Sequence, residues 1–248
     1  MTTKPTKSQV RAQAVAERQR ASETAAKQRR NRTILWGGLA VVVVIAIVVA
    51  VVASGGSDDN ASATKFETAA VTVSGTPLPT YDSAERPDPA VGETVPTLEG
   101  KSVFDGKPVT IEPNGEPQVV VFLAHYCPHC RAEVPRIVTL AKQGVFDGVD
   151  VTAVATGTTE EAPNYPPSAW LEREDWPFAV MADSKSGVAG NAYGLPAYPY
   201  FVLVDAEGKV AGRGTGEIPP DQIKANIKAL KAGDELPISS SSKSSSAS

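Results

Sequence analysis

The segment from Val119 to Ile137, VVVFLAHYCPHCRAEVPRI, constrains this chain more than any other. Its first half is an unbroken apolar run, the pattern of a buried strand. Cys127-Pro128-His129-Cys130 follows directly, and a helix is expected from Pro128 into Leu140. The two cysteines therefore fall at a strand-to-helix junction, which belongs to an α/β sheet.

That junction has chemical consequences. The free N–H groups and macrodipole of a helix N-terminus favour an anion, so the thiolate of the first cysteine is stabilised there. Cys127 is the expected nucleophile. Cys130, one turn further in, can attack a mixed disulfide formed by Cys127 and release the bound partner, which is why two residues separate them. His129 lies between them, where an imidazolium further favours the Cys127 thiolate. The chain holds only these two cysteines. A bridge across two residues constrains little of an unfolded chain, so redox chemistry explains the pair better than a structural staple does.

Around this junction, strands are expected at Gln118–Leu123, Val149–Val154, Phe178–Ala182, Tyr200–Val204 and Lys209–Arg213. Helices are expected near Pro128–Leu140, Ser168–Arg173, Gly187–Tyr193 and Pro219–Leu230. In the last, Ile223, Ile227 and Leu230 recur at helical spacing, Pro219-Pro220 begin it and Gly233 ends it. A hairpin at Asp205–Gly208 adds an antiparallel end to the sheet. Val71 and Val73 alternate in a possible edge strand ahead of a proline-rich stretch.

Charge and hydropathy divide the rest. Lys4, Lys7, Arg11, Arg18, Arg20, Lys27, Arg29, Arg30 and Arg32 crowd the first 33 residues of a chain whose net charge is only −4. From Ile34 to Ala53 no charge occurs, and roughly 20 apolar residues span a bilayer core of about 30 Å. The expected organisation is a basic cytoplasmic arm at 1–33, a transmembrane helix at 34–53 and an extracytoplasmic linker at 54–88. A working domain at 89–236 and a disordered serine-rich tail at 237–248 complete it. The positive-inside rule leaves the N-terminus cytoplasmic and the domain outside a single-pass cell-membrane anchor. A cleaved signal peptide is the alternative, but its apolar region would be shorter, at about 7 to 15 residues.

Two further segments carry a resemblance. Cys127-Pro-His-Cys130 is followed by Arg131-Ala-Glu133-Val-Pro135, and far downstream Tyr193-Gly-Leu-Pro-Ala-Tyr-Pro-Tyr200 leads into an apolar strand. In this order they resemble the thioredoxin superfamily, especially its membrane-anchored TlpA and ResA type, from about Pro89 to Leu230. The resemblance implies a thioredoxin-like fold, a central mixed β-sheet flanked by helices, preceded here by one transmembrane helix. It implies that Pro199 is a cis-proline facing the cysteines, with Pro196 the rival by position. Tyr198 and Pro199 would then meet substrate, and Glu133 would accept or relay the proton that Cys130 loses. Three positions depart from the pattern. Val121 stands where thioredoxins carry a buried acid, Tyr126 replaces the usual tryptophan, and Tyr198 is bulky. The Pro-His dipeptide is similar to that of DsbA-type oxidants, whereas the framework is similar to reductants.

The expected activity is thus thiol–disulfide exchange with protein substrates through Cys127, Cys130, His129, Glu133 and Pro199, without a bound cofactor and without nucleic acid. The single span carries no cysteine, so a separate membrane redox partner, an electron carrier or a reoxidase, is implied. Two other classes compete. His125, Cys127, His129 and Cys130 offer soft ligands for copper or zinc within one segment, although their crowding would distort the helix start. A non-catalytic thioredoxin-like scaffold would more commonly have lost a cysteine. Trp170 and Trp176 are expected in packing, and His125 in a loop or at a strand end.

Overall fold

The computed structural model describes residues 66–237. The expected basic arm, transmembrane helix, first part of the linker and nearly all of the serine-rich tail lie outside the described residues. Among the described residues no helix is long and apolar enough to cross a membrane.

The strands are β1 (Thr72–Ser74), β2 (Thr97–Ser102), β3 (Pro108–Ile111), β4 (Gln118–Leu123), β5 (Asp150–Ala155), β6 (Ala179–Ala182), β7 (Tyr200–Val204) and β8 (Val210–Thr215). The helices are α1 (Pro128–Lys142), α2 (Pro167–Arg173), α3 (Val188–Ala192) and α4 (Pro220–Ala232). They build one mixed sheet in the order β1-β2-β6-β5-β4-β7-β8, with β3 paired to β2. β4 runs parallel to β5 and antiparallel to β7, and β8 closes the edge antiparallel to β7.

Central strands covered on both faces read as continuous apolar runs, and every residue of β4 and β7 is buried. Successive side chains point to opposite faces, so β4 divides its residues between two cores. Val119, Val121 and Leu123 pack with Cys130, Ile137, Trp170 and Ile227, the face covered by α1, α2 and α4. Val120 and Phe122 pack with Leu98, Ala189, Tyr193 and Tyr200 on the other face. The apolar stripe of α4 enters the first core through Ile223, Ile227 and Leu230, each contributing about 1.5–3 kcal/mol when fully buried. Gly233 ends that helix at φ +69°, a left-handed cap that glycine adopts without steric cost.

The thioredoxin-like α/β sheet expected from the sequence is present, with two differences. The hairpin β2–β3 was not expected: TLEGKS and PVTI carry no sustained alternation, and Gly100 sits where a Cβ would meet Met181 at 3.0 Å. The stretch expected as linker also contributes to the core. Leu78 and Tyr81 are buried in the second face, and buried Asp88 pairs with Arg213 of β8. The proline-rich composition of this stretch conceals these anchors.

Candidate active site

β4 ends at Leu123, and four residues later Cys127 caps α1 in an extended conformation, with Pro128 as the first helical residue. Cys127 N–H donates to the Ala124 carbonyl at 3.0 Å, and its own carbonyl accepts from Arg131 N–H at 3.1 Å. This turn places the two thiols in unlike surroundings. Cys127 keeps 9 % of its surface exposed, whereas Cys130 keeps none. Both are free thiols.

The Cys127 thiol points at the Tyr198 carbonyl, 3.7 Å away. The Tyr198–Pro199 bond is cis and the bond before Pro196 is not, so Pro199 is the cis-proline beside the cysteines. The Pro199 carbonyl accepts from Gly216 N–H at 2.9 Å, which ties this loop to the end of β8. Tyr126 and Tyr198 stand edge to face beside the pair, ring centroids 6.5 Å apart. Their hydroxyls converge on Gly157, where an added Cβ would lie 2.9 Å from one and 3.2 Å from the other. A side chain at this position would press on both hydroxyls.

The inner thiol, Cys130, accepts from Ala124 N–H at 3.5 Å. Burial pushes its pKa far above the ordinary thiol range; the Ala124 N–H opposes this, and the charges of Cys127 and Glu133 add to it. Glu133, one turn further along α1, is fully buried rather than a solvated helix glutamate. Its Oε1 accepts from Ile218 N–H at 3.3 Å and its Oε2 from Arg136 Nη1 at 3.2 Å. Burial nevertheless outweighs both bonds and raises the Glu133 pKa. A buried carboxyl raised in this way is suited to take up a proton. Val121, at the strand position noted above, is buried in the same apolar core as Cys130 and supplies no such group.

His129 lies in the first turn with 65 % of its side chain exposed, and its Nδ1 meets Glu217 Oε1 at 2.9 Å. The other Glu217 oxygen accepts from Arg136 at 2.6 Å. The bonds to His129 and then Arg136 hold the Glu217 pKa below the ordinary glutamate value. Glu217 and Arg136 were not singled out from the sequence. Arg136 stands at i+3 from Glu133, a spacing that marks a helical ion pair, but Glu217 is 88 residues from His129 and no local pattern announces it.

His125 is buried just beyond β4. Its Nδ1 lies 2.7 Å from the Pro163 carbonyl and its Nε2 accepts from Thr159 N–H at 3.3 Å. A carbonyl only accepts, so Nδ1 carries the proton and both ring nitrogens are engaged. Asn164 Nδ2 donates to the His125 carbonyl at 3.2 Å, completing the attachment of the β5–α2 loop. His125 therefore does not join a four-ligand metal set without breaking these bonds. Among the described residues no three His, Cys, Asp or Glu side chains are grouped to hold a metal ion. Trp170 and Trp176 lie in the apolar core.

Comparison with known proteins follows the same lines. The Redoxin family profile matches residues 90–230, more than half of the chain. Thiol:disulfide interchange protein DsbE of Pseudomonas aeruginosa is 27 % identical over 139 residues, which cover 55 % of this chain and 73 % of that protein. Thiol-disulfide oxidoreductase ResA of Geobacillus thermodenitrificans is 27 % identical over 142 residues, covering 57 % and 79 %. Among solved structures, a conserved protein of Geobacillus kaustophilus shares the fold with a TM-score of 0.54 at 22 % identity, over 68 % of this chain and 90 % of that one. A dithiol at a strand-to-helix junction, a cis-proline beside it and these relatives agree: the chain belongs to the Redoxin family, within the thioredoxin superfamily, and is a thiol–disulfide oxidoreductase.

Proposed function

We propose that this oxidoreductase is anchored in the cell membrane by residues 34–53 and exchanges dithiol for disulfide with protein substrates outside the cytoplasm. Cys127 attacks and Cys130 resolves. The observation that carries the assignment is the asymmetry of the thiols. Cys127 is at the helix cap, partly open and 3.7 Å from the carbonyl preceding Pro199, whereas Cys130 is wholly enclosed.

In this reading the Cys127 thiolate attacks a substrate disulfide, one substrate sulfur leaves as a thiolate, and a mixed disulfide remains. Cys130 then gives its proton to Glu133 and attacks Cys127 Sγ, which releases the second substrate sulfur and leaves the Cys127–Cys130 disulfide. Run backwards, the same steps oxidise a substrate dithiol. Tyr198 and Pro199 border the position of the substrate chain. His129, at the first turn of α1, favours the thiolate of Cys127 as a cation. The uncharged run at 34–53, after a basic arm, supports the anchor and the orientation. A membrane electron carrier or reoxidase would renew the pair.

Variants of the full chain in membranes test the roles. Cys130→Ser is expected to accumulate a mixed disulfide with substrate protein through Cys127, and Cys127→Ser to trap nothing. Equal trapping by both would overturn the assignment. Direction follows from the reduction potential: a value near that of thioredoxin, about −270 mV, marks a reductant, and one near that of DsbA, about −120 mV, an oxidant.

A further inference from the structure

Residues 157–163, in the loop between β5 and α2, are fastened to the rest of the fold through one side chain. Among the described residues, every hydrogen bond from this segment to a residue outside the loop goes to His125. Its Nδ1 donates to the Pro163 carbonyl at 2.7 Å, and its Nε2 accepts from Thr159 N–H at 3.3 Å. The segment's other bonds stay within the loop, among them the Thr159 hydroxyl to Glu161 and Ala162 N–H to the Thr159 carbonyl. Next in the chain, Asn164 joins the His125 carbonyl to Arg173. The segment starts at Gly157, on which the Tyr126 and Tyr198 hydroxyls converge, so its attachment also bounds the aromatic pair beside Cys127.

This attachment requires a neutral ring. Nδ1 already carries its proton, because the Pro163 carbonyl only accepts, so a second proton goes to Nε2. There it would face the Thr159 N–H, donor against donor. The ring is buried, each nitrogen meets a backbone group and not a carboxylate, and an unpaired buried charge is costly. The titratable groups facing the ring are phenols: Tyr126 of the same turn, with centroids 5.4 Å apart, and Tyr165 of the loop at 6.0 Å. Cys127, two residues along, turns its thiol to Tyr198. Of the charged groups around the loop, Glu161 accepts from the Thr159 hydroxyl, Glu160 is exposed, Glu67 is bonded to Ser168 and Arg173 reaches Asn164.

We propose that His125 is a proton-operated latch: its neutral Nδ1–H form fastens the β5–α2 loop to the turn that carries Cys127, and a proton taken up at Nε2 releases Thr159. The released segment leaves the ring free to meet water, which lowers the cost of its charge, and loosens the loop on which Tyr126 and Tyr198 rest. The latch stands apart from the roles of the two thiols.

The test follows two signals in the reduced full chain by NMR as pH is lowered from about 8 to about 5, the range in which imidazole gains a proton. One is the nitrogen-15 shift of the His125 ring. The other is the protection of the Thr159 amide against hydrogen exchange, corrected for the intrinsic rate at each pH. Protection of Thr159 is expected to fall about tenfold, the order set by losing one backbone hydrogen bond, with the same midpoint as the ring. Amides of β4 should keep their protection, which separates release of the loop from unfolding. In His125→Gln, whose side chain gains no proton in this range, Thr159 protection should hold one level throughout. A ring that gains its proton while Thr159 stays protected, or a ring that stays neutral throughout, would overturn the latch. So would protection lost together with that of β4, or a pH-dependent loss that persists in His125→Gln. None of these outcomes bears on Cys127 and Cys130, whose roles the trapping variants test separately.

Discussion

Asp88 and Glu133 are both buried carboxylates paired with an arginine, yet their pKa values move in opposite directions. Burial pushes each upward. At Asp88 the hydrogen bonds from Arg213 and from Ala90 N–H, with the charges of Arg213 and Arg86, overcome it and lower the pKa. Arg213 is wholly enclosed and gives Asp88 two bonds, from Nε and from Nη2. Its remaining nitrogen, Nη1, donates to the Pro79 carbonyl at 2.7 Å and to the Tyr200 hydroxyl at 3.2 Å. Glu133 has only a share of its arginine. Arg136 gives its shorter bond, 2.6 Å against 3.2 Å, to Glu217. A dedicated arginine thus makes a fixed anion that ties the segment before β2 to β8. A shared one leaves a carboxyl whose proton can move, beside Cys130.

The largest expected effect breaks the fixed pair. Arg213→Met should cost about 3–5 kcal/mol in urea unfolding, because it leaves Asp88 buried and unpaired. A lowered folded pKa contributes stability that is present above the ordinary aspartate value of 3.8 and is lost as pH falls through the folded value. The parent protein should therefore show this acid-side loss and Arg213→Met should not. Glu133 has the opposite sign. Its raised pKa contributes stability that is complete below 4.5 and lost as pH rises through the folded value. Glu133→Gln should consequently lose less stability than the parent between pH 4.5 and neutrality. A parallel pair of curves would remove the contrast between the two carboxyls.

A smaller effect sharpens the role of sharing. The charge of Glu217 is among the causes that raise the Glu133 pKa, and its removal leaves Arg136 to Glu133 alone. Glu217→Ala should make the decline in stability above pH 4.5 shallower, though less so than Glu133→Gln. A steeper decline would show that Glu217 supports the charge on Glu133 instead of opposing it.

These two carboxyls also mark what could be read in advance. Strands β4 and β7 were legible because QVVVFL and YFVLV are buried on both faces and so are apolar throughout. Helix α1 was legible from its cysteines and Pro128, and α4 from its period. The hairpin β2–β3 was not, since a lysine, a glutamate and a glycine leave TLEGKS without an apolar signature even though the strand is paired on both sides. Asp88 lay in a stretch that reads as linker, and its burial depends on Arg213, 125 residues away. Within the site, Cys127, Cys130, His129, Glu133 and Pro199 stood in recognisable motifs. Glu217 did not, because only the return of the chain after β8 brings it to His129.

The account rests on the unlike exposure of two thiols three residues apart. The most direct test reduces the full chain, adds iodoacetamide in small increments and locates the modified cysteine by mass spectrometry. Modification of Cys127 to completion while Cys130 stays unreacted is the expected result. Modification of Cys130 first, or of both at one rate, would contradict the assignment of attacking and resolving thiols.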